Sequence, residues 1–362
     1  MKYKYWFANV TGIGNVTKKR LYEHFKGARQ IYEADHRQLI ASGALKLDTA
    51  GYLIQQRENW ETDREFEAFK KKGISLVTME DGDYPVLLNN IYNAPYALYY
   101  LGRLPERGEK LIAMVGARRA SGYGRSIAHR LAMALTKEGF GVVSGMAMGI
   151  DSASHEGALE GGGRTYAFLG SGVDVIYPRC NCGLYERIID NGAVISDYVP
   201  GTKPLAEHFP ARNRLISGIA KKTLVIEAKR RSGSLITAEM AMEQGRDVLA
   251  LPGRITDPLS EGTNHLISMG AGIITGIDEL LRDLKELEGL DMLTGNNDLS
   301  ENICLEKEEA LVYSCFDFYA KGLEEVQQEC GIKFPALLGV VMSLCAKGLL
   351  GEVFKNQYIR LG

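Results

Sequence analysis

Residues 110–145 of the chain read KLIAMVGARRASGYGRSIAHRLAMALTKEGFGVVSG, and this stretch decides the fold. Leu111–Val115 is a short apolar run typical of a strand buried on both faces, and the glycine-rich turn Gly116–Gly124 follows it directly. Apolar residues then recur at helical spacing over residues 127–135, before glycines lead into a second run, Val142–Ser144. The stretch predicts one βαβ unit whose first turn offers backbone N–H groups, a helix N-terminus and two arginines to a phosphate.

Short apolar runs and helical patterns alternate along the segment around this unit. Such alternation predicts right-handed βαβ crossovers and a parallel sheet, in which ligands bind beyond the carboxyl ends of the strands. Strands are predicted at residues 74–77, 97–102, 111–115, 141–144, 166–169, 193–196, 224–227, 248–251 and 272–275. Helical patterns begin near Gly124, Ile150, Asn181, Arg212, Ser234 and Thr263.

Length and composition bound the class of protein. A chain of 362 residues is longer than the chains that usually fold around one hydrophobic core, so two or three domains are expected. The formal net charge of −2 means that a polyanionic partner must be held by a local basic patch. No segment is apolar enough to span a bilayer and the N-terminus lacks a signal-peptide core, so we expect a cytoplasmic protein without membrane contact.

The six cysteines give no metal signature. Cys180 and Cys182 are separated by one residue, which is too close for a zinc knuckle, and the other four are scattered through the C-terminal part. We expect reduced thiols, with no metal and no other cofactor.

Changes in residue pattern divide the chain into four segments. Residues 1–73 predict a helical domain in which Val10–Gly14 resembles a helix-hairpin-helix turn, the alternative being a plain helical loop. Residues 74–288 predict the Rossmann-like domain, and the turn-rich residues 289–305 a linker. Residues 306–362 predict three small helices and a hairpin, a winged-helix-like domain. Its third helix carries few basic residues, so a protein-interaction role is at least as well supported as groove reading.

The sequence lacks the motifs of three common kinds of site. The first turn lacks the G-x-G-x-x-G pattern and no acidic residue closes the second strand, which argues against a dinucleotide. Residues 157–165 contain glycines without Gly-Lys-Ser/Thr, so a Walker P-loop is excluded. Asp151 and His155 lie four apart without a nucleophile elbow, and we expect Asp151 to orient the first turn of its helix.

Glycine turns with fixed positive charges beside them remain at the predicted strand ends. One such turn is most simply a tight connection, but several on one edge present backbone N–H groups to an anion. Phe209 precedes two arginines on a predicted polar loop, where it either stacks on an unpaired base or anchors the loop under Pro210. The candidate binding residues at this edge are Gly116, Arg118, Ser121, Gly122, Gly124, Ser144, Gly145, Gly170, Phe209, Arg212, Asn213, Arg214, Ser232, Gly233 and Ser234.

Several motifs follow one another in a distinctive order between residues 110 and 281. They are GAR at 116–118 with SGYG at 121–124, SGMAMGID at 144–151, GSGVDVIYP at 170–178, FPARNRLISG at 209–218 and SGSLITA at 232–238. In this order they closely resemble the DprA/Smf family of DNA-processing proteins, over about half of the chain. Ala117, Met148 and Thr263 depart from the family pattern, in which serine, a basic residue and cysteine are usual at these positions.

The resemblance implies a non-enzymatic protein that protects incoming single-stranded DNA during natural transformation and loads the RecA recombinase on it. It implies a single-strand pocket lined by Arg118, Phe209, Arg212, Asn213 and residues 232–234. It also implies a homodimer with His265, Leu266 and Ile267 near the interface. The basic rim, without residues suited to reading base edges, predicts binding without base preference.

Two interpretations compete with this one. The sheet also resembles LOG-type phosphoribohydrolases, which cleave the N-glycosidic bond of nucleoside monophosphates, and residues 232–239 then offer Glu239 as the candidate acid. The glycine pair of that family is missing here. The third interpretation is a protein-only signalling scaffold.

Overall fold

The computed structural model describes residues 1–294, 307–316, 321–347, 349–354 and 356–360. The chain divides into two compact units, Met1–Leu281 and Arg282–Gly362, which are considered separately below.

A nine-stranded sheet forms the centre of the first unit, with the strand order β1-β2-β6-β5-β4-β3-β7-β8-β9. The strands are β1 (Ser75–Thr78), β2 (Ala97–Gly102), β3 (Leu111–Val115), β4 (Gly141–Ser144), β5 (Thr165–Phe168), β6 (Gly192–Ser196), β7 (Lys222–Val225), β8 (Asp247–Ala250) and β9 (Gly272–Ile273).

The seven strands from β6 to β9 in this order run parallel, so the prediction of a mostly parallel α/β sheet is confirmed. The pairs β1–β2 and β2–β6 are antiparallel, which the sequence pattern did not predict. The connection from β1 to β2 spans residues 79–96 and contains the one-turn helix Val86–Asn89, whereas parallel strands are usually joined through a longer crossover helix.

Helices pack before, between and after these strands. In the first unit they are α1 (Lys2–Asn9), α2 (Asn15–Phe25), α3 (Ala28–Glu33), α4 (His36–Ala41), α5 (Leu47–Glu58), α6 (Thr62–Lys70), α7 (Val86–Asn89), α8 (Gly122–Lys137), α9 (Ile150–Glu160), α10 (Cys182–Asn191), α11 (His208–Ile219), α12 (Gly233–Glu243) and α13 (Glu261–Ser268). The helix α14 (Ile277–Thr294) begins in the first unit and continues into the second.

The two faces of the sheet carry separate hydrophobic cores. Tyr166 and Phe168 of β5 belong to the core that also contains Leu215 of α11. Ala167, between them, belongs to the core on the other face, together with Trp6 of α1. This alternation is the two-residue period of a strand buried on both faces, and it makes the N-terminal helices one covering layer of the sheet.

The predicted hairpin turn near the N-terminus is held by contacts within the chain. The Gln56 side chain accepts the Thr11 N–H over 2.9 Å and donates to the Thr11 carbonyl over 3.0 Å. Lys18 is buried and donates to the Ala8 carbonyl over 2.7 Å, and burial lowers the pKa of Lys18 to about 8. Lys19 donates to the Asn89 carbonyl over 2.8 Å. Both lysines therefore have intramolecular partners, and a helix-hairpin-helix role for this turn stays a prediction.

In the described residues of the second unit, three helices and a small sheet follow α14. They are α15 (Lys307–Ser314), β10 (Lys321–Gly322), α16 (Leu323–Cys330), α17 (Phe334–Ala346), β11 (Leu350–Phe354) and β12 (Gln357–Arg360), with the sheet order β10-β12-β11. Val312, Val326, Leu337 and Tyr358 meet in its core. The winged-helix assignment stays a prediction. Residues 289–294 of the predicted linker are the end of α14, and the remainder of that linker lies outside the described residues.

Within the described parts of the chain, no single helix has the length and hydropathy of a membrane span. The helices α16 and α17 meet that criterion only as a pair, which is bent by 109° at the break between them.

Candidate nucleic-acid interface

Four glycine turns lie side by side at one edge of the sheet. The sheet order places β5, β4, β3 and β7 next to each other, and all four strands are parallel. Their carboxyl ends therefore share one edge, where residues 116–124, 144–149, 170–172 and 232–234 follow β3, β4, β5 and β7. The candidate residues that were separate in the sequence meet at this edge.

The first turn exposes Arg118 and ends in a well-capped helix. Ser121 is the N-cap residue of α8, and its Oγ accepts the Gly124 N–H over 2.9 Å. Glu227, which follows β7, accepts the backbone N–H of Ser121 over 2.9 Å and also its hydroxyl. Arg118 and Gly122 are exposed, so they are the candidates in this turn that a ligand can reach.

The second turn is packed tightly against the first. A Cβ on Gly149, whose φ is +84°, would lie 2.3 Å from the Ala117 carbonyl oxygen, so this position requires glycine. The Ile150 N–H donates to the same oxygen over 3.2 Å. Ser144 is fully buried, and its hydroxyl donates to the Met114 carbonyl over 2.6 Å. It therefore links the ends of β4 and β3 inside the edge.

An aromatic platform with a cation lies at the third turn. The guanidinium carbon of Arg118 is 5.0 Å from the centroid of the Phe209 ring, within the range of a cation–π contact. The Tyr177 ring centroid is 5.4 Å from that of Phe209, and Tyr177 is exposed. A Cβ on Gly170 would lie 2.9 Å from the Phe209 ring, so Gly170 allows the ring to rest on the turn. This arrangement offers ring surface and positive charge at one point.

Phe209 occupies the first turn of a helix, and not the polar loop that the sequence predicts. The helix α11 begins at His208, four residues before the predicted start at Arg212. Pro210 fits there because the first turn of a helix needs no backbone donor. The His208 ring contacts the Gly170 carbonyl over 3.2 Å through Nδ1 and stacks on Tyr198 with centroids 4.2 Å apart.

Arg212 lies beneath the edge and joins two of its turns. It is 3 % exposed, and its Nη1 donates to the Gly145 carbonyl over 3.0 Å and to the Phe168 carbonyl. Burial lowers the pKa of Arg212 to about 10, and the nearby Asp151 opposes this shift. A Cβ on Gly145 would lie 2.6 Å from Arg212 Nη2, so the glycine leaves room for the guanidinium. In this conformation Arg212 positions the turns, and its direct contact with a strand stays a prediction.

Asp151 and His155 are two buried polar residues of α9, each with its own partner. Asp151 Oδ2 accepts the Ala147 N–H over 3.3 Å, a contact with the turn before α9, and the predicted role of Asp151 in the first turn of its helix stays a prediction. Burial raises the pKa of Asp151, and Arg212 opposes this shift. His155 Nδ1 lies 2.6 Å from Thr165 Oγ1, and burial lowers the pKa of His155 to about 3. The imidazole is therefore neutral at physiological pH.

The fourth turn is tied to α11 by Asn213. Its Nδ2 donates to the Gly233 carbonyl over 3.3 Å, and the Ser232 and Ser234 hydroxyl oxygens are 2.8 Å apart. Arg214 instead pairs with Asp197 over 2.6 Å, and both side chains are 11 % exposed. Arg118, Arg212 and Ser234 thus belong to one connected edge, whereas Arg214 is committed to an ion pair.

Glu227 is the main residue of the edge that is absent from the predicted set of binding residues. It is 4 % exposed and fixes the first turn through Ser121. Its place at the end of a predicted strand, directly before Ala228, was the available signal. Glu239, the acid of the alternative enzyme prediction, is exposed on α12. Among the described residues, no group of three or more His, Cys, Asp or Glu side chains is suited to hold a metal ion.

The family model of DNA recombination-mediator protein A matches residues 75–285, which is more than half of the chain. The chain belongs to this family. The resemblance to DprA/Smf proteins that the motifs indicated is thereby confirmed. The match includes all four turns of the edge.

Relatives from the DprA/Smf family match more than half of this chain and about three quarters of their own length. The protein Smf of Synechocystis is 39 % identical over 298 residues, covering 79 % of this chain and 74 % of the relative. The DNA processing protein DprA of Streptococcus pneumoniae is 44 % identical over 222 residues, covering 61 % of this chain and 77 % of the relative.

Two solved structures of DprA proteins share the fold. The X-ray structure of DprA from Streptococcus pneumoniae matches with a TM-score of 0.71 and 36 % identity, covering 78 % of this chain and 97 % of that one. A structure of DprA from Helicobacter pylori, described as showing a unique single-stranded DNA binding mode, matches with a TM-score of 0.53 and 28 % identity, covering 59 % and 96 %.

The residues predicted for a DprA-type dimer interface differ in exposure. His265 is exposed on α13, and Ile267 is half-buried against the core. Leu266 is 4 % exposed and belongs to the core of its own chain. Only His265 and Ile267 are therefore accessible in the conformation described.

Proposed function

We propose that this protein binds single-stranded DNA along the four-turn edge and acts in DNA processing as a non-enzymatic carrier of the strand. The observation that carries the proposal is the contact of Arg118 with Phe209, 5.0 Å apart beside the exposed Tyr177. Stacking on rings and attraction to fixed cations are the two sequence-independent means of holding an unpaired strand. Family membership and the DNA-binding relative from Helicobacter pylori support it.

The strand, in this proposal, is protected during natural transformation and passed to the RecA recombinase. Direct base-edge readers are not part of the proposed contact set, so binding is independent of base sequence. The protein acts as a homodimer through the exposed side of α13, and its C-terminal unit is a winged-helix-like module for a protein partner. The helix α17 contains no basic residue between Phe334 and Ala346, which supports a protein partner over reading of a DNA groove.

Salt dependence of binding tests the proposed contact. If the edge holds roughly four to six phosphates, the logarithm of the association constant falls against the logarithm of salt concentration with a slope of about −3 to −4. Fluorescence anisotropy with a labelled thymine oligonucleotide at several salt concentrations measures this slope. A salt-independent signal, or equal affinity for duplex of the same length, contradicts the proposal.

The variant Arg118→Ala tests the contribution of one arginine to this salt dependence. We expect weaker binding to every sequence and a shallower salt slope, because one phosphate contact is lost. Arg107, exposed before β3 at the opposite end of that strand, provides the control Arg107→Ala. If both variants bind like the wild type, the strand does not run along this edge.

A further inference from the structure

The start of α8 has the form of a phosphate cradle. In Rossmann-type sheets, the backbone N–H groups at the first helix N-terminus ordinarily receive a phosphate. Here α8 is a 16-residue helix that begins at Gly122 directly after β3 and the first turn. The N–H groups of Ser121 and Gly124 are already engaged by groups of the chain itself.

Glu227 occupies this cradle. Its two carboxylate oxygens accept the N–H and the hydroxyl of Ser121, the former over 2.9 Å, and the side chain is 4 % exposed. The Gly124 N–H is satisfied by Ser121 Oγ over 2.9 Å. A Cβ on Gly124 would lie 2.3 Å from the Glu227 carboxyl carbon, so the carboxylate packs directly on the first helical turn. Glycine at position 124 is what allows this approach.

We infer that Glu227 is a specificity-determining residue that takes the place of a phosphate at the α8 N-terminus and excludes nucleotides from it. A phosphate arriving there meets a like charge and no free Ser121 donor. The inference goes beyond DNA binding and does not depend on it. It also replaces the predicted direct contacts of Ser121 and Gly124 with the strand. Arg118 and Gly122 of the first turn and Phe209 of the third turn remain as the reachable candidates.

Anion rescue of a truncated side chain tests the inference. Glu227→Ala removes the carboxylate and leaves space beside Ser121, so acetate or phosphate should bind there and raise the melting temperature of the full chain. At an anion concentration ten times its Kd, we expect a rise of about 3 °C or more relative to the wild type in the same buffer. The reference is chloride at equal ionic strength.

Three controls separate this binding from general salt effects. The wild type and Glu227→Gln should show no specific rise, because their cradle remains filled. Glu239→Ala removes an exposed glutamate of α12 and should also show none. An equal melting temperature of Glu227→Ala in phosphate and chloride overturns the inference, as does equally poor recovery of that variant on refolding in the two salts.

A titration of the wild type provides a second readout that needs no variant. Amide resonances of Ser121 and Gly124 should show no saturable shift on addition of inorganic phosphate or a nucleoside 5′-monophosphate. A saturable shift of these two amides overturns the inference. Loss of DNA affinity on Arg118→Ala is independent of either result, so failure of this inference and failure of the proposed function are distinguishable.

Discussion

At the scale of single residues, the two arginines of the edge have opposite surroundings. Arg118 is exposed and lies on the Phe209 ring, whereas Arg212 is buried and bonded to two main-chain carbonyls. An exposed cation is available to bind a ligand, whereas a buried cation stabilises the turns that it joins. The two side chains should therefore affect different measurements.

For Phe209→Ala we expect DNA binding to weaken by about 1–3 kcal/mol, because one base loses its stacking surface. Fluorescence anisotropy with a short oligonucleotide measures the loss. Phe209→Tyr, which keeps the ring, should bind like the wild type. Equal losses for both variants would contradict the stacking assignment, because Phe209→Tyr keeps the ring.

For Arg212→Ala we expect the free energy of unfolding to fall by about 3 kcal/mol, because two buried carbonyls lose a donor and Asp151 loses a cation. Denaturant unfolding measures the change, with Arg118→Ala as the control that stays near the wild type. If Arg212→Ala keeps its stability but loses DNA affinity, Arg212 touches the strand directly.

At the scale of elements, the sequence predicted the alternation of strands and helices because buried strands and amphipathic helices have different periods. Spacing alone does not say where a helix starts when its first turn carries a proline, so α11 begins four residues before the predicted Arg212. Nor does it say which face of α11 is inward, and the burial of Arg212 was not predicted. Contacts between segments that are far apart in the sequence, such as Ser121 with Glu227, depend on the strand order, which local patterns do not predict.

The packing of α9 against β5 predicts sensitivity to acid. Burial lowers the pKa of His155 to about 3, below its ordinary 6.5, so between these values the unfolded chain binds a proton that the folded chain does not. Stability from this group is complete above pH 6.5 and falls as pH decreases toward 3, by up to about 1.4 kcal/mol per pH unit. Urea unfolding across pH 4–7 measures the slope. His155→Gln should show a smaller slope, and an unchanged slope would contradict this assignment.

At the scale of the whole molecule, the proposed dimer depends on the exposed side of α13. We expect Ile267→Asp to convert the dimer to a monomer, because a charge would be buried without a partner in the contact. Light scattering measures the mass. Asp257→Asn, on the loop before α13, is a control that should remain dimeric, and an unchanged mass for Ile267→Asp would place the contact elsewhere.

The shared core under β5 also limits how the chain can be divided. Trp6 and Phe7 rest against the same apolar layer as Ala167 and Val194. A fragment beginning near residue 74 would expose that apolar layer to water, and an exposed apolar face of this kind favours self-association and precipitation. The N-terminal helices therefore cover one face of the sheet, and a fragment that keeps every residue of the proposed DNA site can still be insoluble.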